Sequence, residues 1–357
     1  MRITEVTLQP LRLELVNPLK TARGTYAARE GYVVRLRDEE GRVGQGEAMP
    51  LQEFGTESPS DCEQALKSIH PNQLPLPLGE GRGEGMCLPL GGLSMRTPAA
   101  RHGVEQALLD LLAQRQGLPL CRLLSVEARE EIRVNALLGA ASPEALAEES
   151  QRAVAEGYET LKLKVAGRPL AEDVARLSAV RKAVGQTIHL RVDANGGWKE
   201  SEAGPALAEL GEYHLELCEQ PVAAEEHEAL ARLSEHAPCP LAADESLALP
   251  EVVRALLNHP RTVGILVLKP MVLGGLLPAL SLAREAAKKG LDAYVTSSLD
   301  GVIARAGAAH LAAALPSGRY ASGLGVGHLF KNEPGNHPFR PVRGRIELPQ
   351  TPGQGVN

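Results

Sequence analysis

Aromatic residues are scarce in this chain of 357 residues, which contains three Phe, one Trp and six Tyr. Proteins that bind single-stranded nucleic acids stack the bases on aromatic side chains, and so few rings argue against such a platform. The formal net charge is −6, so the chain also lacks the basic excess that neutralises phosphates. We therefore expect no nucleic-acid partner.

Cysteine is rare as well, and the five residues are scattered without a C-x-x-C pair. An odd and irregular set predicts reduced thiols rather than a disulfide framework. No apolar run approaches the roughly 18 residues of a membrane-spanning helix. The first residues, MRITEVTLQPLRLELV, lack the apolar core of a signal peptide. We expect a soluble, cytoplasmic protein with no membrane partner.

Several common catalytic signatures are missing. The ten histidines form no H-x-x-x-H or H-E-x-x-H pair, which disfavours a zinc hydrolase. The sequence contains neither a G-x-S-x-G nucleophile elbow nor a G-x-x-x-x-G-K-[ST] phosphate loop. These three kinds of catalytic site are therefore disfavoured.

Two patterns of apolar residues follow one another along the chain. In the first 50 residues, alternation around Gly-containing turns predicts antiparallel strands. From about residue 130, short apolar runs alternate with helical patterns, which predicts βαβ units and a parallel sheet. Seven such units favour a closed βα barrel. The runs are IRVNALLG (132–139), TLKLKV (160–165), IHLRVDAN (188–195), LELCEQP (215–221), PLAADES (240–246), GILVLKP (264–270) and DAYVTSS (292–298).

The segment between these two patterns is mixed. A short helix is predicted after Ser58, where capping residues precede an apolar run, and a longer one at 97–117. Between them, residues 71–92 are dense in Pro and Gly and show no periodicity. This composition predicts a flexible surface insertion.

Charged residues end five consecutive runs of the barrel pattern. They are Lys164, Asp193, Glu219, Asp244 and Lys269, with spacings of 29, 26, 25 and 25 residues. Each spacing is one βα unit, so these side chains share the C-terminal ends of successive strands, where βα barrels build active sites. Singly, each charge has an ordinary explanation as a helix cap, a turn or a loop residue. Together they predict a functional ring.

The order of charges in this ring points to one kind of chemistry. Three adjacent carboxylates form an oxygen ligand set suited to Mg²⁺. Lysines flank them on both sides, and Lys162 shares a strand face with Lys164 because side chains alternate. A divalent cation and ammonium groups stabilise the charge that develops when a proton leaves the carbon alpha to a carboxylate. A lysine whose pKa is lowered by a neighbouring lysine and a metal is a suitable base.

These motifs resemble the enolase superfamily, specifically its muconate-lactonising-enzyme subgroup. The resemblance implies an α/β fold: a modified TIM barrel, (β/α)7β, with an N-terminal α+β capping domain completed by the C-terminal segment. The implied boundaries are 1–125 for the capping domain, 126–325 for the barrel and 326–357 for the returning segment. The matching motifs are LKLK at 161–164, VDAN at 192–195, EQP at 219–221, ADES at 243–246 and LKP at 268–270.

The resemblance also implies roles for individual residues. Lys164 would be the general acid/base on one face, with Lys162 lowering its pKa, and Lys269 would stand on the opposite face. Asn195 and Glu245 would lie next to the metal ligands and support them without binding the metal directly. The implied ligands of Mg²⁺, with Mn²⁺ as a substitute, are Asp193, Glu219 and Asp244.

Within the subgroup the chain most resembles o-succinylbenzoate synthases. This likeness implies a lyase of menaquinone biosynthesis that dehydrates a small carboxylate substrate, 2-succinyl-6-hydroxy-2,4-cyclohexadiene-1-carboxylate. Ser297 and Ser298 would bind its succinyl carboxylate, with N-capping of the next helix as the alternative for either serine. The same scaffold leaves other activities open, namely N-acylamino-acid racemase, dipeptide epimerase or muconate-type cycloisomerase. A non-catalytic barrel that serves as a binding protein is a further alternative. Assembly into a homo-oligomer is also left open.

Overall fold

The structure, a computed structural model, describes residues 2–21, 24–74, 88, 90, 92–332 and 337–356. Its strands are β1 (Ile3–Thr21), β2 (Gly24–Asp38), β3 (Val43–Ala48), β4 (Glu131–Arg133), β5 (Ala136–Leu138), β6 (Thr160–Lys164), β7 (His189–Asp193), β8 (Leu215–Glu219), β9 (Leu241–Ala243), β10 (Ile265–Leu268), β11 (Asp292–Val295) and β12 (Arg345–Glu347). Its α-helices are α1 (Pro59–Lys67), α2 (Pro98–Gln116), α3 (Leu120–Leu124), α4 (Pro143–Ala155), α5 (Leu170–Val184), α6 (Glu200–Gly211), α7 (His227–Ser234), α8 (Pro250–Asn258), α9 (Pro270–Leu273), α10 (Leu276–Lys288) and α11 (Val302–Ala314).

The N-terminal part forms the predicted antiparallel sheet, with the order β1-β2-β3. Alternate residues such as Val34 and Leu36 are buried, as the pattern of the sequence requires. The sheet packs on α2, and the approach is close. A Cβ atom added to Gly46 would lie 1.9 Å from the carbonyl oxygen of Gly103. Glycine is therefore needed where β3 meets this helix.

Both predicted helices of the N-terminal part are confirmed. α1 begins after Ser58, whose hydroxyl accepts a hydrogen bond from the backbone N–H of Asp61 at 3.1 Å. α2 covers most of the segment predicted at 97–117. The predicted insertion at 71–92 falls largely outside the described residues. Residues at its borders are buried in the core, namely Leu74, Leu88 and Leu90.

Seven parallel strands, β5 to β11, form the second sheet in sequence order. Their apolar runs are buried; all four residues of β10, for example, are buried. Ser322 and Gly323 form parallel bridges with Val134 and Thr296, and thereby join the two edges of the sheet. They occupy the place of an eighth strand. The α/β class and the predicted (β/α)7β barrel with its N-terminal antiparallel domain are confirmed.

The chain after the barrel returns to the N-terminal part. Phe330 forms a bridge with Leu15 of β1, and the side-chain amide of Gln354 donates to the carbonyl oxygen of Gln45 at 2.8 Å. β12 pairs antiparallel with β4. The three domain boundaries derived from the sequence stay predictions.

Glu47, near the end of β3, connects the N-terminal sheet to the barrel. Its carboxylate accepts hydrogen bonds from the backbone N–H groups of Gly301 at 2.6 Å and Ala304 at 3.2 Å. These N–H groups lie at the start of α11 and have no partner within the helix, so a carboxylate there is favourable. The contact fixes the loop after β3 over the C-terminal end of the barrel strands.

Two further expectations concern thiols and membranes. Four cysteines are described, and all are free and buried, which agrees with the prediction of reduced thiols; they are Cys62, Cys121, Cys218 and Cys239. Among the residues that the structure describes, no α-helix combines the length and the apolar character needed to span a bilayer.

Candidate active site

The first three charges of the predicted ring lie side by side. Lys164, Asp193 and Glu219 are the last residues of β6, β7 and β8. In the parallel register, Lys164 is level with Asp193, and Asp193 is level with Glu219. Residues that are level on neighbouring strands present their side chains to the same face of the sheet. These three side chains therefore stand in one row.

The row continues with a rise of two residues on each of the next two strands. Ala242 of β9 is level with Glu219, so Asp244 lies two residues further along. Ala243 is level with Leu266 of β10, so Lys269 lies two residues beyond the level of Asp244. A step of two residues keeps a side chain on the same face, and barrel closure requires such a stagger.

Lys162 lies one step below Lys164 on the same face and bridges two carboxylates. Its Nζ atom is 2.7 Å from Asp193 Oδ2 and 2.7 Å from both carboxylate oxygens of Glu219. Only 11% of the Lys162 side chain is exposed, against 40% for Lys164. Lys162 is thus an enclosed counter-charge, whereas Lys164 is open to a ligand.

A short chain of contacts holds Lys164 in place. Its Nζ atom is 2.7 Å from Asp193 Oδ2 and 2.6 Å from Asn195 Oδ1. The amide nitrogen of Asn195 in turn donates to Glu245 Oε1 at 2.9 Å. Asn195 adopts a positive φ of 46°, a conformation that Asn tolerates better than most residues. The predicted pair Asn195 and Glu245 is therefore brought together beside Lys164.

Lys269 occupies the other end of the row. Its Nζ atom is 2.6 Å from Asp244 Oδ2, and 8% of its side chain is exposed. The Phe54 ring lies over the ammonium group, with 5.0 Å between Nζ and the ring centroid. Lys164 and Lys269 thus lie at opposite ends of the row of carboxylates.

The carboxylates govern the protonation of the buried lysines. Burial opposes the charged form of Lys162, but Asp193 and Glu219 raise its pKa well above the ordinary lysine value. The same balance, with Asp244 as the main partner, raises the pKa of Lys269. Burial would also raise the pKa of Asp193, but Lys162 and Lys164 hold it well below its usual range. The carboxylate partners therefore hold Lys162 and Lys269 in the charged form.

The carboxylates suit a hard cation in type and position. Asp193 and Glu219 end adjacent strands, and Asp244 directly follows the next one. Two buried oxygens, Asp244 Oδ1 and Glu245 Oε2, have no hydrogen-bond partner among the described residues. Buried carboxylate oxygens without a donor are suitable ligands for Mg²⁺. Lysine ammonium groups bridge the carboxylates here, and in the described ranges no three His, Cys, Asp or Glu side chains converge as a metal site. The assignment of Asp193, Glu219 and Asp244 as ligands stays a prediction.

The two predicted substrate-binding serines follow β11, whose Val295 is level with Leu268. The helix-capping alternative is wrong for both, because α11 begins at Val302 and its cap is Gly301. Instead, the Ser297 hydroxyl accepts from the N–H of Asp300, and the Ser298 N–H donates to the Asp300 carboxylate. Ser298 Oγ is buried without a partner in the described part of the chain. A role in substrate binding stays a prediction.

Two residues that sequence reasoning missed contact the site. Tyr294 of β11 donates its hydroxyl to Glu219 Oε2 at 2.5 Å. Gln220 Oε1 accepts from the backbone N–H of Asp244 at 2.9 Å, which fixes the start of the next loop. Gln220 lies in the EQP motif and Tyr294 in the apolar run DAYVTSS. Neither pattern could identify a partner on another strand.

Comparisons with known proteins agree with this geometry. The family described as "Mandelate racemase / muconate lactonizing enzyme, N-terminal domain" matches residues 3–125, and the family "Enolase C-terminal domain-like" matches residues 145–357. The N-succinyl-L-Arg/Lys racemase of Bacillus cereus is 30% identical over 315 residues, which cover 87% of this chain and 84% of the relative. The L-Ala-D/L-Glu epimerase of Bacillus subtilis is 32% identical over 317 residues, covering 88% and 85%.

Two further comparisons extend this picture. Muconate cycloisomerase 1-2 of Acinetobacter lwoffii is 31% identical over 348 residues, covering 96% of this chain and 89% of the relative. A dipeptide epimerase from Enterococcus faecalis, solved in complex with Mg and the dipeptide L-Leu-L-Tyr, aligns over 100% of both chains with a TM-score of 0.87 and 26% identity.

The chain belongs to the enolase superfamily, whose members are enzymes that use Mg²⁺. Within it, the chain belongs to the muconate-lactonising-enzyme subgroup, as its motifs predicted. The finer prediction of an o-succinylbenzoate synthase finds no support among these relatives. Their names favour the alternatives that the sequence left open, which are racemase, dipeptide epimerase and muconate cycloisomerase activity.

Proposed function

We propose that this enzyme is an isomerase that inverts the configuration at the α-carbon of an N-acylated amino acid. The substrate is either an N-acylamino acid or a dipeptide. The observation that carries the proposal is the position of Lys164 and Lys269 at opposite ends of the row of carboxylates. Inversion requires one group that removes a proton from one face of the α-carbon and another that adds a proton to the opposite face. A dehydration would need only one such lysine.

The relatives support this choice of reaction. An N-succinyl-L-Arg/Lys racemase and an L-Ala-D/L-Glu epimerase, each about a third identical, both have names that describe inversion next to a carboxylate. An isomerase replaces the lyase of menaquinone biosynthesis that the sequence motifs suggested. A muconate-type cycloisomerase is the rival that the same comparisons offer.

The chain's own residues account for the two proton transfers. Asp193, Glu219 and Asp244 would hold Mg²⁺, or Mn²⁺ as a substitute, and this ion would supply a Lewis acid for the substrate carboxylate. Lys164, as the neutral amine, accepts the α-proton at Nζ as the C–H bond breaks, while Asn195 orients it.

The second transfer completes the inversion. Lys269, as the ammonium ion, donates a proton from Nζ to the opposite face of the α-carbon, and the roles of the two lysines exchange for the other enantiomer. Lys162 remains charged and balances Asp193 and Glu219. Ser298 Oγ, buried and without a partner in the described ranges, is available to a polar group of the substrate.

Deuterium exchange tests the proposal directly. The protein with Mg²⁺ is offered N-succinyl amino acids and dipeptides in D₂O, and in separate samples the cyclohexadiene carboxylate and muconate. We expect α-deuterium in the product of both starting enantiomers or epimers, together with loss of optical purity. Aromatisation of the cyclohexadiene or lactone formation from muconate, without exchange in any amino-acid compound, would overturn the proposal.

A further inference from the structure

Tyr294 carries a polar hydroxyl group inside the barrel. It lies on β11 in a buried cluster with apolar residues of other barrel strands, namely Leu217 of β8 and Ile265 and Val267 of β10, and 2% of its surface is exposed. A buried phenol hydroxyl normally needs a hydrogen-bond partner. Neither the proton transfers nor the predicted ligand set uses this residue, so its position requires another explanation.

The partner of Tyr294 is the middle carboxylate of the row. The hydroxyl donates to Glu219 Oε2 at 2.5 Å, a length typical of hydrogen bonds to a charged acceptor. Among the described residues, the hydrogen-bond donors to the Glu219 side chain are Lys162 and Tyr294. Lys162 is a buried cation between Asp193 and Glu219 that would share these carboxylates with any bound metal. The Tyr294 hydroxyl carries no charge and competes with no cation.

The Tyr294 ring is itself held in place by the side chain of Arg191. The guanidinium carbon of Arg191 lies 4.7 Å from its ring centroid, and Arg191 is fully buried. The guanidinium donates to Glu216 at 2.5 Å and to the carbonyl oxygen of Ala321 at 2.7 Å, so it cannot move freely. Tyr320 packs on the same guanidinium at 5.6 Å. The ring of Tyr294 therefore packs on a guanidinium group that is itself fixed, and this packing sets the direction of the hydroxyl.

We propose that Tyr294 is a positioning residue for metal binding: by holding Glu219 Oε2 from inside the barrel, it keeps this carboxylate turned toward the cation site. The inference rests on the proposed function, because it takes Glu219 as a ligand of Mg²⁺. Groups that hydrogen-bond to metal ligands commonly change metal affinity by about tenfold to a hundredfold. Tyr294 would have this effect on Glu219 although β11 and β8 are three strands apart in the sheet.

Tyr294→Phe tests the role, and Tyr320→Phe is the matched control. Both changes remove one hydroxyl from a ring that packs on Arg191, but only Tyr294 reaches Glu219. Mg²⁺ is titrated calorimetrically into the wild type and both variants, and unfolding midpoints in EDTA report on folding. We expect the Kd of Mg²⁺ to rise about tenfold or more in Tyr294→Phe, and to stay within about twofold in Tyr320→Phe.

Each result has a distinct meaning. Equal Mg²⁺ affinity in the wild type and Tyr294→Phe would overturn the inference and leave the proposed function standing. Absence of Mg²⁺ binding in the wild type would overturn both. If Tyr294→Phe does not fold, the near-ultraviolet difference spectrum of the wild type decides: Mg²⁺ should perturb a buried tyrosine, and an unchanged tyrosine band would contradict the role.

Discussion

The ammonium group of Lys269 lies 5.0 Å from the centroid of the Phe54 ring, within the range of a cation–π interaction. Phe54 belongs to the short 3-10 turn Gln52–Phe54 that follows β3, so the N-terminal domain covers the lysine at one end of the row. Lys164, at the other end, has Asn195 and Asp193 as its neighbours. The two proposed acid/base groups therefore depend on different parts of the chain.

Replacing Phe54 by Leu should slow proton transfer by Lys269 selectively, because Lys269 is the one of the two lysines whose ammonium group lies over the Phe54 ring. Phe54 also packs on the Tyr26 ring, and leucine keeps an apolar side chain there. The enantiomer whose α-proton faces Lys269 should exchange about threefold to tenfold more slowly in D₂O, as expected from about 0.7–1.4 kcal/mol of lost cation–π energy. Phe54→Tyr keeps an aromatic ring and should behave like the wild type. Equal slowing of both enantiomers would contradict this view of Phe54.

Removing a proposed metal ligand should remove stabilisation by Mg²⁺. At a concentration about 100 times its Kd, Mg²⁺ should raise the free energy of unfolding of the wild type by about 2.7 kcal/mol. Asp244→Asn should lose most of this gain, measured as the difference between denaturation midpoints with Mg²⁺ and with EDTA. Glu251→Gln makes the same acid-to-amide change at an exposed position of α8 and should keep the full gain. A gain of normal size in Asp244→Asn would rule out Asp244 as a ligand.

Glu105, buried in α2, should make stability depend on pH. Burial raises its pKa from 4.5 to about 7, against the hydrogen bonds that it receives from the backbone of Leu277 and Leu276. Between these values the folded state binds a proton that the unfolded state has released. The stabilisation is therefore complete below about pH 4.5 and is lost as the pH rises through about 7.

Glu105→Gln removes this titration while keeping an acceptor oxygen. The free energy of unfolding of the wild type should fall from about pH 5 to about pH 8 by up to about 3 kcal/mol more than that of the variant. Denaturant titrations at several pH values measure the difference. Glu285→Gln, on the exposed side of α10, is the control and should follow the wild type. Parallel pH profiles for Glu105→Gln and the wild type would show that Glu105 is already ionised when folded.

The sequence predicted the row of charges because a parallel barrel repeats a local pattern. Lys164, Asp193 and Glu219 each end an apolar run, and one βα unit separates each from the next. Chain spacing alone therefore determines that they meet. The same reasoning placed Lys162 beside Lys164, because strand side chains alternate between two faces.

Contacts between distant elements could not be predicted in this way. Tyr294 reaches Glu219 across the barrel, and this depends on the stagger of strands that are separated in the sequence. The sequence allowed Ser297 or Ser298 to cap the start of α11, but the backbone N–H groups there donate to Glu47 instead. Glu47 and Gly301 are 254 positions apart. The substrate class was also beyond the motifs, because related reactions share the same lysines and carboxylates.

The central claim is that Lys164 and Lys269 act on opposite faces of one α-carbon, and the single-lysine variants test it most directly. Lys164→Ala and Lys269→Ala are incubated in D₂O with each enantiomer of an N-acylamino acid that the wild type racemises. Lys182→Ala, at an exposed position of α5, is the control. We predict that neither active-site variant racemises, that each still exchanges the α-proton of one enantiomer, and that the two variants retain opposite enantiomers. Full racemisation by either variant would contradict the account. So would the finding that both variants lose α-proton exchange with the same enantiomer.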